Sequence, residues 1–510
     1  MLEPMSKRNR AAVAPLPATR MIGLTETQRA WLMLSVLLLF GFLVRLWAMR
    51  WPPFPIDMND WIAWGERVRE LGPRKFYDPN VFADYTPGYV YVLWLTAEVK
   101  HWFFADNAVE TYYFLYRLPP ILCDLATAGL VFWVAESLRR ERIGPLEAGT
   151  PALTWPLVPA LAALAYLLNP AVIINSAVWG QVDSTFSFLM VLSVVLLVRR
   201  EPEWAVLVYT IAFLIKPQAI SLAPVIGLIL LMRFPVVRVA QSLAFGALIG
   251  FVILIPFFGA WPVDDLYALL QRSTDAYKVT SLFSYNVWGI YGFWKDDLVD
   301  GWLGVPLRTL GILAFIVGVA YGVTLLWQAL RRHTDERYAA YMFGVFFTYL
   351  PVMVLTRMHE RYFYPVLPFL LIFALICLLG GARADGRALP LRFAVLPLLL
   401  YFVATLLHTI NLYQVYTYYR YFSSGGVPAT NDLFFMIEGN ARAWSVFTIL
   451  SFTTFVVAMW YWLPGSERGA AVWEQLSART STLWRPRAER AETAAITSLS
   501  EDAEARGGAG

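Results

Sequence analysis

Apolar runs long enough to cross a bilayer recur along most of the chain, and no other feature restricts its fold as strongly. A hydrocarbon core about 30 Å thick takes about 20 helical residues to cross. Within it every backbone N–H and C=O must be satisfied inside the segment, so the segments must be helices. Composition agrees: 58% of the 510 residues are hydrophobic and 15% charged, against about 45–50% and about 25% in soluble domains. The expected fold class is therefore an all-α polytopic membrane protein. A pI near 8.9 does not argue for nucleic acid, because the basic residues sit mainly in short loops between spans, where they set orientation. Cys123 and Cys377 lie in apolar stretches and read as small core residues rather than a disulfide framework.

Arginine placement threads the chain. Residues 1–30, with Lys7, Arg8, Arg10, Arg20 and Arg29, read as a cytoplasmic segment before an uncleaved first span, about Trp31–Met49. Arg139-Arg140, Arg199-Arg200, Arg233, Arg331-Arg332 and the group Arg383, Arg387 and Arg392 then fall inside. The external loops become 50–86, 169–183, 258–302, 356–361 and 412–441. About twelve crossings are expected, with amphipathic helix in the first external loop. Either 87–104 or 112–137 must be incomplete or re-entrant, since only an odd number of crossings fits there. The short spans 204–216 and 217–232 meet at a proline, as broken helices around a buried site do. Residues 464–510, rich in Ala, Arg, Glu, Ser and Thr, read as a cytoplasmic, largely disordered tail.

The first external loop carries Pro55-Ile56-Asp57-Met58-Asn59-Asp60-Trp61-Ile62-Ala63-Trp64. In a helix Asp57, Asp60, Trp61 and Trp64 share one face. That face offers a base for a sugar hydroxyl beside indole surface for a sugar ring; it equally describes a solvated first turn with acids at the favourable end. Asp84-Tyr85-Thr86-Pro87-Gly88-Tyr89 follows. Asn169-Pro170 breaks a helix before Trp179-Gly180-Gln181-Val182-Asp183, whose polar groups suit either hydroxyl binding or capping of the next helix. Lys216-Pro217-Gln218 sets a cation at a helix break, explained by snorkelling or by an anionic head group. Arg357-Met358-His359-Glu360-Arg361-Tyr362 gathers forked donors suited to phosphate where orientation rules disfavour them. Loop 258–302 is unusually aromatic and reads as an interfacial belt, a cap over a sugar- or lipid-binding groove, or both.

These motifs together resemble the bacterial integral-membrane glycosyltransferases of the GT-C class, in the mannosyltransferase-related branch akin to the GPI-anchor mannosyltransferases and the dolichyl-phosphate-glucose-dependent glucosyltransferases. The likeness covers about residues 31–380. It implies transfer of one hexose, mannose or glucose, from a polyprenyl-phosphate donor to an acceptor hydroxyl on a glycan, glycolipid or protein, with inversion. The site would face away from the cytoplasm of a bacterial inner membrane. By position, Asp57 is the base; Asp60, Trp61, Trp64, Asp84, Tyr85, Trp179, Gln181 and Asp183 bind substrate. Lys216, Gln218, Arg357, His359, Glu360, Arg361 and Tyr362 bind the donor phosphate. The branch usually has Pro-Pro where this chain has Thr86-Pro87. No cofactor or metal site is expected, although the loose Asp57–Asp60 spacing leaves divalent-metal dependence open. A lipid-linked saccharide flippase or other transporter is the alternative; it calls for repeats and mid-membrane ionisable groups. A membrane scaffold without catalysis is a further one. For transfer, Asp57 and the turn near residue 360 must share a cavity.

Overall fold

A computed structural model describes residues 25–105, 108–143, 156–299, 301, 304–332, 335–380, 389–423 and 432–463. Most of the N-terminal segment, the 464–510 tail, Arg383 and Arg387 lie outside the described residues. The fold is all-α and polytopic, as expected.

α1 (Glu26–Ala48) begins at a reciprocal cap, in which Thr25 and Gln28 satisfy each other's backbone N–H. After a short turn, α2 (Pro55–Leu71) starts on a proline at its first position, where the missing N–H costs nothing. α3 (Pro87–Phe103) packs the start of its first turn on the end of a later helix. A Cβ at Gly88 would lie 2.6 Å from the carbonyl carbon of Leu214, so only glycine fits. α4 (Val109–Ile143) is 35 residues long.

α5 (Leu157–Leu167) and α6 (Pro170–Ile173) belong to a helix bent by 50° at Asn169-Pro170. The Asn169 side chain accepts from the N–H groups of Ala171 and Val172 at the new start. A π-helical turn, Ile174–Trp179, carries the chain to Gly180. Gly180 adopts φ +89°, beside Met58 and Arg117. α7 (Asp183–Val198) and α8 (Pro202–Ile215) then run as a pair. Lys216 is extended because the next residue is proline, and a 3₁₀ turn leads to α9 (Ala223–Arg233).

α10 (Val236–Phe258) is followed by α11 (Pro262–Asp275), strand β1 (Ser281–Leu282) and α12 (Val287–Tyr291). α13 (Leu307–Arg331), α14 (Glu336–Val354), β2 (Met358–His359) and α15 (Val366–Gly380) come next. α16 (Leu391–Ser423), α17 (Asp432–Gly439) and α18 (Ala441–Trp462) complete the chain. The helical stretch Glu360–Leu379, most of it α15, is 83% buried within the bundle, whereas α10 and α13 are only 22% buried and keep most of their apolar sides on the outside.

Several sequence expectations need correction. Among the described residues, seven helices are long and apolar enough to cross a membrane, or eight with the bent pair. Three shorter apolar helices, 183–198, 202–215 and 217–233, do not reach that length, so twelve crossings are not reproduced. Of the two ambiguous segments, α3 is the short one, at 17 residues against 35 in α4. Segment 258–302 is not a simple loop but holds α11, β1 and α12. The segment from residue 412 continues α16 to Ser423.

Candidate functional site

α2 places Asp57, Asp60, Trp61 and Trp64 on one face at the α1 exit. The strand pair places the 357–362 turn opposite. β1 and β2 are parallel, with Ser281 beside Met358 and Leu282 beside His359. Between these walls lies a cavity of about 400 Å³. Every site residue expected from the sequence lines it except Gln181 and Asp183, which stand behind the wall. Asp57 and Arg361 thus face one space.

Asp57 is held from behind. Its Oδ2 accepts from Trp179 Nε1 at 2.7 Å and from Gln181 Nε2 at 2.5 Å. The Trp179 indole is stacked on Phe54 with ring centres 4.3 Å apart, and Phe54 N–H donates to the Trp179 carbonyl. The π-helical turn therefore aims the indole, and the glycine after it releases the chain toward Gln181. Oδ1 of Asp57 has no hydrogen-bond partner among the described residues. Asp60, one turn on, is pushed up to about 6 by burial and then by the charges of Asp57 and Asp84. Burial also raises the Asp84 carboxyl, with Arg361 opposing.

The tryptophans form a wall rather than an open platform. Trp61 and Trp64 are buried; Trp61 meets Tyr85 edge to face at 4.8 Å, and Trp64 Nε1 donates to the Phe82 carbonyl. Tyr77 hydroxyl fixes the same strand of chain by donating to the Tyr85 carbonyl at 2.6 Å.

The cations divide into two kinds, which the sequence did not separate. Arg357 is committed to protein: Nε and Nη2 donate to the two oxygens of buried Asp297 at 2.7 and 3.1 Å, and Nη1 donates to Asp275. Its backbone sits at φ 64°, a strained region for a non-glycine residue, held by N–H donation to the Val279 carbonyl. Lys216 is likewise committed, donating to buried Asp183, whose other oxygen takes Asn175 at 3.1 Å. Its Nζ lies 4.9 Å from the Tyr362 ring centre and 5.8 Å from that of Tyr85. Lys216 thus braces two cavity tyrosines, and Asp183 is its counter-ion rather than a group open to substrate.

Arg361 differs. Its Nη1 donates to Glu360 at 3.1 Å and lies 3.0 Å from His359 Nδ1. Its Nε is buried without a hydrogen-bond partner among the described residues. A guanidinium only donates, so Nδ1 accepts and the ring proton of His359 sits on Nε2. Burial, followed by Arg361 and Lys216, holds His359 well below the usual histidine range, so the ring is neutral. Two further orphans line the same cavity, Trp61 Nε1 and Gln218 Oε1. Buried polar atoms rarely go unpaired, and three around one space suit a polar ligand.

Residues that the sequence reading passed over support the site. Arg117 of α4 donates to the carbonyls of Met49, Trp51 and Ala177, clamping the α1–α2 turn to the π-helical turn. Deeper, Asp124 accepts from Arg45, Ser176 and Tyr364, and Tyr166 and Tyr364 hydroxyls are 2.9 Å apart. The available signal was an ionisable residue inside an apolar run. No group of three or more metal-ligating side chains occurs among the described residues.

Residues 74–287 match the model of the family described as PIG-U, GPI transamidase subunit PIG-U. The PIG-U match spans Asp84, Trp179, Asp183 and Lys216 but stops short of both Asp57 and Arg361. No curated protein matches the chain.

Proposed function

We propose that this chain is a membrane glycosyltransferase of the GT-C class, transferring a single hexose from a polyprenyl-phosphate donor to an acceptor hydroxyl with inversion. The observation that carries this reading is the shared cavity of Asp57 and Arg361, a positioned carboxylate facing a guanidinium with an unpaired donor. Asp57 Oδ1 takes the acceptor's proton as its oxygen attacks C1 of the sugar. The C1–O bond to the phosphate breaks, and the electron pair leaves with the polyprenyl phosphate. A positioned base contributes about 10²–10⁴-fold. Arg361, with Nε2–H of His359 beside it, stabilises charge growing on the leaving phosphate. Asp60, Asp84, Trp61 and Gln218 orient hydroxyls. Arg357, Lys216, Asp183 and Gln181 hold these groups in place.

The PIG-U match favours a second reading, a non-catalytic subunit that holds a glycolipid in the same cavity, as the family's name denotes a subunit of a GPI transamidase. One experiment separates them. The purified chain is incubated with radiolabelled polyprenyl-phosphate mannose or glucose and a membrane extract as acceptor source. Label transfer that is lost in Asp57→Asn supports catalysis; donor binding with no transfer by either protein supports the subunit reading.

A further inference from the structure

The bundle has a second large cavity, about 1010 Å³, at the end opposite Asp57. The helices themselves set that position. α1 carries Trp31 near its start, whereas its far end leads to Asp57. α7 runs from Asp183 to Val198, with Arg199 as its C-terminal cap, and α14 runs from Glu336 to the residues preceding Arg357.

Its walls change character along their length. On α4, Leu130, Trp133, Ser137 and Glu141 line it at helical spacing; on α7, Leu192, Leu196 and Arg199 do the same. Each face is apolar toward the middle of the bundle and charged at the end. Trp31 of α1 closes the apolar part by meeting Trp133 edge to face at 4.8 Å.

Among the described residues the lip carries four guanidiniums, Arg199, Arg200, Arg233 and Arg337, against three carboxylates, Glu141, Asp335 and Glu336. Arg200 and Arg233 share the single carboxylate of Glu336, at 2.9 and 2.8 Å. Arg337 takes both Glu141 and Asp335, at 2.6 and 3.2 Å. That leaves one positive charge in excess, and exposed Arg199 makes no ion pair among the described residues.

We infer that this groove is a binding site for one anionic glycerophospholipid. Its phosphodiester would sit at Arg199, with the shared Arg200–Glu336–Arg233 group beside it. Its acyl chains would lie between α4 and α7 against Trp133 and Leu196. Basic pockets between membrane helices recognise such head groups. The single excess charge matches a phosphodiester, whereas a phosphate monoester carries about −1.5 to −2. The site is independent of the sugar-transfer reading.

The test uses the full-length protein, delipidated in detergent and titrated with phosphatidylglycerol or phosphatidylcholine, with bound lipid counted by native mass spectrometry. Phosphatidylglycerol binds at one per chain and phosphatidylcholine much more weakly. Arg199→Gln lowers phosphatidylglycerol affinity about fivefold, the equivalent of ~1 kcal/mol for one arginine near anionic lipid. Leu196→Trp, which fills the apolar part, removes the bound lipid. Because Leu196→Trp alone could act by misfolding, exposed Arg199→Gln is the deciding variant, with its melting temperature in lipid-free detergent unchanged. Equal binding of the two phospholipids, or unaltered binding in Arg199→Gln, overturns the site. Displacement of phosphatidylglycerol by equimolar polyprenyl phosphate overturns the assignment to a phospholipid.

Discussion

The indole nitrogen of Trp179 donates to Oδ2 of Asp57 at 2.7 Å, joining residues 122 apart in the chain. One carboxylate oxygen is thereby occupied by protein, while the other has no hydrogen-bond partner among the described residues of the cavity that Asp57 lines. Trp179→Phe keeps the stack on Phe54 and deletes only this bond. Hydrogen bonds to charged groups contribute about 1.5–3 kcal/mol, so kcat falls about tenfold or more while donor affinity changes little. Asp57→Asn falls further, by about 10²–10⁴-fold. Radiolabel transfer kinetics check both, and full activity in Asp57→Asn removes it from the base role.

Arg361 carries the donor phosphate in this scheme. Arg361→Ala weakens binding of the polyprenyl-phosphate sugar, and Arg361→Lys restores only part of it, because an ammonium lacks the planar fork. Arg357→Lys instead acts through stability, since Arg357 is occupied by Asp297 and Asp275. Donor titration beside a melting curve separates these outcomes; an unchanged donor Kd in Arg361→Ala detaches it from the phosphate.

Asp60 imposes a pH trend. Its folded pKa, about 6, exceeds the ordinary 3.8, so the folded state holds a proton that the unfolded chain releases. That stabilisation is complete below about pH 4 and fades as pH rises through 6. Asp60→Asn therefore raises the melting temperature more at pH 7.5 than at pH 4.5. A pH-independent difference between the two proteins contradicts the argument.

Asp124 and Arg45 are both fully buried, 3.2 Å apart. Breaking a buried pair from one side costs about 3–5 kcal/mol, whereas replacing both members by apolar residues is often neutral. Asp124→Leu alone lowers the melting temperature sharply, and Arg45→Met with Asp124→Leu recovers most of it. Since Tyr364 and Ser176 bond the same carboxylate, Asp124→Asn also lowers kcat by loosening the 360–364 turn against the π-helical turn. Additive single effects in the double variant argue against the pairing.

Much of the site was legible because charged residues at the ends of apolar runs stand out. Asp57, Asp60, Trp61 and Trp64 share a face of α2 as their spacing implies, and the 357–362 turn lies across the cavity from them. What spacing could not convey was commitment between distant residues. Lys216 and Arg361 read alike in sequence, yet Lys216 meets Asp183, 33 residues away, and Arg361 keeps an unpaired nitrogen. Asp297 lay unnoticed in an aromatic segment, although it ties up Arg357. Arg117 and Asp124 were hidden inside a long apolar run, where periodicity reads them as interruptions rather than anchors. The expected span count is not reproduced among the described residues, where α7 and α8, at 16 and 14 residues, are shorter than a membrane-length helix.

The two-residue strand pair has a bearing on traffic through the cavity. Ser281–Leu282 are stitched to Met358–His359, and Arg357 hangs from the carbonyls of Val279 and Thr280. Lifting that roof would carry the 357–362 turn away with it. On the sugar-transfer reading, donor and acceptor would therefore enter through the sides of the cavity, beneath a roof tied to the turn that carries Arg361.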